Sequence, residues 1–187
     1  MRIISGTHRS RQFHIPDHLG IRPTTDFAKE SLFNILQNRV DFTGLKILDL
    51  FGGSGSISYE FASRGCAEII AIEKNLKSCA FIKETAKEFK FQNIKVIKMD
   101  VFSYLKMSAD TFDIIFADPP FKLSRRDPLS GQNIERIPAL IFEKKLLREN
   151  GMLIAEHPSD VNFEGINELK ETRKYGTVNF SIFGYIH

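Results

Sequence analysis

Ile47-Leu48-Asp49-Leu50-Phe51-Gly52-Gly53-Ser54-Gly55 reads as an apolar strand that runs into a glycine turn and then a helix. Glycines lack Cβ, so a ligand can approach the backbone closely. The N–H groups at the start of the helix are free to bind an anionic group. The spacing is not the G-x-G-x-x-G of dinucleotide enzymes, because Gly52, Gly53 and Gly55 stand closer together. Asp49 is the second difference. A carboxylate at this strand end repels a pyrophosphate and suits a ligand that carries an amino group.

The same alternation continues on both sides. Asp26 is placed to cap a helix running to about Gln37, with Ala28, Leu32, Ile35 and Leu36 on one face. Lys46–Leu50 reads as a strand, Gly55–Ser63 as a helix and Glu68–Ile72 as a strand. Asn75 then caps a helix that keeps Cys79, Ile82, Ala86 and Phe89 at helical spacing. Strand Ile94–Lys98, a helical turn near Phe102–Lys106 and strand Phe112–Ala117 follow. A helix is expected over Ile134–Leu147, stopped by Asn150-Gly151, then strand Met152–Glu156. The tail, about Leu169–Tyr185, reads as a hairpin turning near Gly176. Apolar strands alternating with helices make an α/β fold: a mostly parallel, seven-stranded sheet, helices on both faces, and an antiparallel C-terminal hairpin. Residues 1–187 are expected to form a single domain, with an arm or hairpin and a helix (about 1–40) before the core.

Acidic residues close several of these strands. Glu73 lies about 20 residues past the glycines, where a carboxylate can accept bonds from both ribose hydroxyls. S-adenosylmethionine and NAD share that ribose, so Glu73 does not choose between them. S-adenosylmethionine has an ammonium, a sulfonium and a carboxylate but no phosphate, which fits Asp49. Asp100 with Val101 ends the third strand and reads equally as an adenine-amine acceptor or as a helix cap. Asp118-Pro119-Pro120-Phe121 ends the fourth. The prolines have no N–H, so this turn offers carbonyl acceptors on a stiff backbone beside a carboxylate and a ring. That set suits a planar base carrying an exocyclic amine. His157, after Glu156, reads as a loop histidine more readily than as a pocket residue.

The chain has 187 residues, 42% hydrophobic and 26% charged, as expected of a soluble domain with a real core. No apolar run approaches the roughly 20 residues that span a bilayer, and the first residues do not resemble a secretory signal. Two cysteines, Cys66 and Cys79, make neither a disulfide framework nor a zinc cage, so a reducing cytoplasm is the expectation. His8, His14 and His18 lack metal-ligand spacing, and no metal is expected. Net charge is +3, but it is unevenly placed. Arg2, Arg9, Arg11 and Arg22 face one acid, Asp17, within residues 1–22, and Lys122, Arg125 and Arg126 follow Phe121. Both clusters are candidate contacts for a phosphate backbone.

Taken together, the glycine turn, Glu73, Asp100 and Asp118–Phe121 resemble a class I S-adenosylmethionine-dependent methyltransferase, Rossmann-like in fold. The resemblance is closer to the bacterial 16S rRNA guanine-N2 methyltransferases of the RsmD type. Met1-Arg2-Ile3-Ile4-Ser5-Gly6, Arg22-Pro23-Thr24, Glu30-Ser31-Leu32-Phe33-Asn34-Ile35-Leu36 and Ser63-Arg64-Gly65 carry it nearly end to end. It implies methyl transfer to the exocyclic amine of a guanine in 16S ribosomal RNA, on a particle already carrying ribosomal proteins, by a monomer. It implies that Asp49, Phe51, Gly52, Gly53, Ser54 and Gly55 hold the methionine part of the cofactor, Glu73 the ribose and Asp100 with Val101 the adenine; Thr24 joins the cofactor set. Asp118, Pro119, Pro120 and Phe121 form the catalytic motif. The chain departs from the family at Phe121, usually Tyr, and at Gly53 and Ser56, where Ala is common.

Three rivals stand beside this reading. The same chemistry serves another RNA guanine or adenine N6 in DNA. A nicotinamide-dependent oxidoreductase would use the same fold, against Asp49 and the glycine spacing. A non-catalytic RNA-binding protein would keep the fold without needing Asp118–Phe121.

Overall fold

The computed structural model describes residues 1–21, 26–119, 134–163 and 165–185. Seven strands make one mostly parallel sheet that finishes in an antiparallel C-terminal hairpin. The chain divides into two compact units, Met1–Val101 and Phe102–His187.

The first unit holds strands β1 (Lys46–Asp49), β2 (Glu68–Glu73) and β3 (Ile94–Lys98) in the order β3-β2-β1, all parallel. Parallel strands need crossovers, supplied by helices α2 (Ser56–Ser63) and α3 (Leu76–Glu88); α1 (Asp26–Gln37) precedes them. Ile47, Leu48, Ile69, Ile70, Ala71 and Ile72 are buried, as strands covered on both faces require. On the edge strand β3, Lys95 and Lys98 are exposed, and such charges discourage pairing with another chain. Asn75 caps α3 as its sequence position suggests, its side chain accepting from the N–H groups of Lys77 and Ser78 at 2.8 and 3.3 Å.

Residues 1–13 fold as a hairpin: Ile3 N–H donates to Arg11 O (2.9 Å) and Ser10 N–H to Ile3 O (2.8 Å). Its apolar residues Ile3 and Phe13 pack with Tyr59, Ile82, Ala86 and Phe89. The two sequence motifs Met1–Gly6 and Ser63-Arg64-Gly65 prove to be halves of one junction. Thr7 N–H donates to Ser63 O (2.8 Å) and His8 N–H to Ser63 Oγ (2.9 Å), while Ser63 Oγ–H donates to Ser5 O (2.6 Å). Gly6 has φ +82°, and a Cβ there would lie 1.9 Å from Ser63 O, so no other residue fits this approach.

Beneath that junction lies a buried charge cluster. Every residue of α2 is buried, Glu60 included. Its carboxylate accepts from the N–H groups of Ile4 (2.8 Å) and Ser5 (3.0 Å) and from Arg64 Nε (3.0 Å). Lys29 Nζ, on α1, lies 3.9 Å from Glu60, both side chains 0% exposed, and donates to Arg2 O and Ser56 Oγ. Burial holds the Lys29 amine below its ordinary range, and the charge of Glu60 opposes that shift. The arm is thus tied to the core by a carboxylate that accepts from Ile4, Ser5 and Arg64 and has the Lys29 ammonium as its ion-pair neighbour.

The second unit holds β4 (Phe112–Ala117), β5 (Leu147–His157), β6 (Leu169–Tyr175) and β7 (Val178–Phe183), ordered β4-β5-β7-β6. Helices α4 (Val101–Met107) and α5 (Arg136–Glu143) accompany them. β4 and β5 are parallel; β7 runs antiparallel to both β5 and β6. Two sequence expectations need correction here. The expected helix 134–147 stops early, at Glu143, and Lys145 turns out of it with φ +53°. Asn150-Gly151 is no helix stop but lies inside β5, where the register against β4 shifts between Phe112 and Ile114. A strand that bulges breaks the alternation by which it would be read.

His157 also differs from expectation. It belongs to β5, not a loop, and is 2% exposed. Pro158 O can only accept, so Nδ1 carries the proton given to it (2.9 Å) and Nε2 accepts from Ser181 Oγ (2.8 Å). Ser181 in turn accepts from Thr172 Oγ1 at 2.7 Å. The chain Thr172–Ser181–His157 therefore stitches β6, β7 and β5 together. Among the described residues no helix is long and apolar enough to cross a membrane, and no cluster of His, Cys, Asp or Glu could hold a metal ion.

Two outcomes follow from these buried groups. Glu60→Gln should lose about 3–5 kcal/mol in chemical denaturation and speed amide exchange at Ile4 and Ser5; a loss below about 1 kcal/mol would contradict the account. Burial lowers the His157 pKa below its ordinary 6.5. The unfolded chain then binds more protons, so this contribution is complete above 6.5 and fades as pH falls below it. Denaturation from about pH 7.5 to 5 should show that decline, flattened in His157→Gln; equal slopes would remove His157 as its source.

Candidate functional site

The turn between β1 and α2 is built by its glycines and held by β2. Gly55 caps α2 with φ +78°, and a Cβ on it would meet the Tyr59 ring at 2.4 Å. Gly52 N–H donates to Ile72 O at 2.8 Å, and Gly55 N–H closes the turn on Gly52 O at 2.6 Å. Gly53 N–H donates to Glu73 Oε2 at 2.8 Å. The glycine turn and the acidic strand end, inferred separately from sequence, are in direct contact.

Glu73 is half-buried. Its Oε1 accepts from Asn75 N–H at 2.7 Å, so the carboxylate braces both the glycine turn and the entry to α3. An ionised carboxylate offers about four acceptor positions. Two backbone bonds leave room for ligand hydroxyls on the same group. Met99 N–H donates to Glu73 O at 3.0 Å, which brings the segment ending in Asp100 and Val101 beside this site. Asp100 is half-buried and stands immediately before α4, whose first residue, Val101, is buried.

Asp49 lies behind the turn and is 1% exposed. Ser58 Oγ–H donates to its Oδ2 at 2.6 Å. Oδ1 meets no hydrogen-bond partner among the described residues. Burial pushes the Asp49 carboxyl up to about 6; the Ser58 hydroxyl and the Phe51 N–H pull it down, and the charge of Glu73 pushes it further up. Two carboxylates and an orphaned acceptor make this a site for a ligand with cationic and hydroxyl groups, and a poor one for a pyrophosphate.

The remaining sequence candidates are placed as follows. Phe51 is half-buried and Ser54 buried within the turn. Asp118, half-buried, and Pro119, buried, follow β4 in the second unit. Arg2, Arg9 and Arg11 are exposed on the hairpin. Arg2 pairs with Asp26 (3.2 Å) and Glu30 (3.3 Å), and Arg11 lies over the Phe89 ring at 4.9 Å. Arg22, Thr24, Pro120, Phe121, Lys122, Arg125 and Arg126 fall outside the described residues. Sequence reasoning missed Ser58. In Ser-Ile-Ser-Tyr-Glu-Phe-Ala-Ser the polar residues suggest an open face, yet the whole helix is buried; the only hint was that these polar residues leave no clean apolar stripe.

The family model described as Conserved hypothetical protein 95 matches residues 1–184. YlbH of Bacillus subtilis (strain 168) is 33% identical over 98% of this chain and 98% of its own. Ribosomal RNA small subunit methyltransferase D of Buchnera aphidicola subsp. Baizongia pistaciae is 30% identical, covering 98% of this chain and 91% of its own. Among solved structures, yhhF from Escherichia coli superposes with a TM-score of 0.81 at 27% identity, covering 98% of this chain and 96% of that one. The sheet order, the glycine turn and these matches agree, and the chain belongs to the Conserved hypothetical protein 95 family, the RsmD-type methyltransferases with their Rossmann-like class I fold.

Proposed function

We propose that this chain transfers a methyl group from S-adenosylmethionine to the exocyclic N2 amine of a guanine in 16S ribosomal RNA. The observation that carries the cofactor is the glycine turn closed onto Glu73 with the buried Asp49 carboxylate behind it. The residues present fit that molecule: the orphaned Asp49 Oδ1 favours a cationic neighbour, and Glu73 retains acceptor positions for ribose hydroxyls. Phe51, Gly52, Gly53, Ser54 and Gly55 would line the methionine part, Asp100 and Val101 the adenine, with Thr24 in the same set. When bound, the cofactor supplies an electrophilic methyl group. The name of the Buchnera relative supports the small-subunit RNA as substrate.

The protein's own work is alignment and charge. An exocyclic amine is a poor nucleophile because its lone pair is delocalised into the ring. The Asp118 carboxylate and the Pro119 carbonyl each accept one N–H of that amine, which directs its lone pair outward. Asp118 also stabilises the positive charge that grows on nitrogen. Pro120 adds stiffness, and Phe121 gives the base a face to stack on once it has left its own stack. Arg2, Arg9, Arg11, Arg22, Lys122, Arg125 and Arg126 provide the charge that draws in the phosphate backbone; Arg2 does so less, being shared with Asp26 and Glu30. On this reading residues 1–187 work as one methyltransferase domain, as a monomer in the cytoplasm, on RNA already assembled with ribosomal proteins.

Asp118→Ala should abolish methyl transfer while the affinity for S-adenosylhomocysteine stays within about threefold; parallel loss of both in single-turnover assays and calorimetry would make Asp118 structural. Arg9→Ala combined with Arg11→Ala should weaken RNA binding and lower the slope of log affinity against log salt by about 2. An unchanged slope would remove the hairpin from the RNA interface.

A further inference from the structure

Ser58 is the third residue of α2, and its side chain turns back onto the end of β1. It is 0% exposed, and the Asp49 carboxylate it meets is 1% exposed. At 2.6 Å its hydroxyl is the only side-chain donor to Asp49 among the described residues, and it engages Oδ2 alone. The other titratable groups that act on this carboxylate do not help it ionise. Glu73, at the end of β2, carries a like charge. Tyr59, the next residue of α2, is kept neutral by burial, and its hydroxyl donates to Ile82 O. Taking a charge out of water is costly without a donor; here the Ser58 hydroxyl gives the largest help, with the backbone N–H groups of Phe51 and Ser58 behind it.

We propose that Ser58 is a positioning residue for the cofactor: it fixes the Asp49 carboxylate behind the glycine turn and keeps it ionised where the cationic end of the ligand binds. This rests on the S-adenosylmethionine reading of the site. The hydroxyl orients the carboxylate, so that Oδ1 is the oxygen left for a donor from the ligand or from a water it holds. The charge then acts across a poorly screened interior, where a nearby ammonium feels it strongly. Among the described residues, losing the hydroxyl leaves only the backbone N–H groups of Phe51 and Ser58 to favour the charged form, and nothing at the side-chain level to orient the carboxylate. The carboxyl then holds its proton to a higher pH, and the ligand loses its counter-charge at neutrality. A serine that merely fills space between α2 and β1 would have no such effect on ionisation.

The test is calorimetric titration of the full chain with S-adenosylhomocysteine between about pH 5 and 8.5. In the unaltered protein, affinity should rise with pH up to about 6, where Asp49 ionises, and then level off. In Ser58→Ala the rise should move up by about one pH unit, giving roughly fivefold weaker binding near pH 6, approaching about tenfold near pH 5, and recovery to within about twofold at pH 8.5. Asp49→Asn should show no such rise at any pH. If Ser58→Ala does not fold, Ser58→Cys keeps the volume with a much weaker donor and takes its place. An unmoved profile, or a loss that high pH does not restore, overturns the positioning role. Folded, unaltered protein that binds no S-adenosylhomocysteine at any pH overturns the cofactor reading itself, and this inference with it.

Discussion

The hydrogen bond from Gly53 N–H to the Glu73 carboxylate, 2.8 Å long, is the constraint on which the site depends. It joins the turn after β1 to the end of β2, and Gly52 N–H to Ile72 O runs beside it. Without these bonds a turn made of glycines would be the softest part of the unit, because glycine loses most freedom on ordering. With them, the turn is shaped before any ligand arrives, which lowers the ordering cost of binding. The same carboxylate also sets Asn75 and hence the start of α3. One side chain thus fixes a cradle on one side and keeps acceptor positions open on the other.

A second carboxylate, Glu60, does for the arm what Glu73 does for the turn. It lies in α2, the helix that the glycine turn starts, and it binds the backbone of Ile4 and Ser5. Lys29 bridges the same region, bonding the backbone of Arg2 and the hydroxyl of Ser56 at the first turn of α2. The arm that carries Arg9 and Arg11 is therefore set on the same short helix that begins at the glycine turn. Buried ions are seldom a gain in stability over well-packed apolar groups; here they fix where the arm sits.

Much of this was legible in the sequence, for physical reasons. Ile69–Ile72 and Ile114–Ala117 are apolar runs that buried strands explain, and Gly52, Gly53 and Gly55 mark a tight turn in which a Cβ at Gly55 would collide with Tyr59. What failed involved partners distant in sequence. The end of the helix before β5 is set by Lys145 in a left-handed conformation and by a register shift against β4, neither of which leaves a periodic signal. His157 looked like a loop residue because β5 continues through it to pair with β7. Ser58 and Glu60 drew no reading of their own, because their partners, Asp49 and the arm, lie outside their own helix. The arm motif and Ser63-Arg64-Gly65 were visible as words, but that they bind each other was not.

A crystal structure of the chain with S-adenosylhomocysteine measures the central claim most directly. The account expects both ribose hydroxyls on the Glu73 carboxylate with Gly53 N–H still donating to it, and the amino end of the ligand over the turn in front of Asp49. Ribose held by other side chains, or Glu73 swung away with the glycine turn refolded, would contradict it.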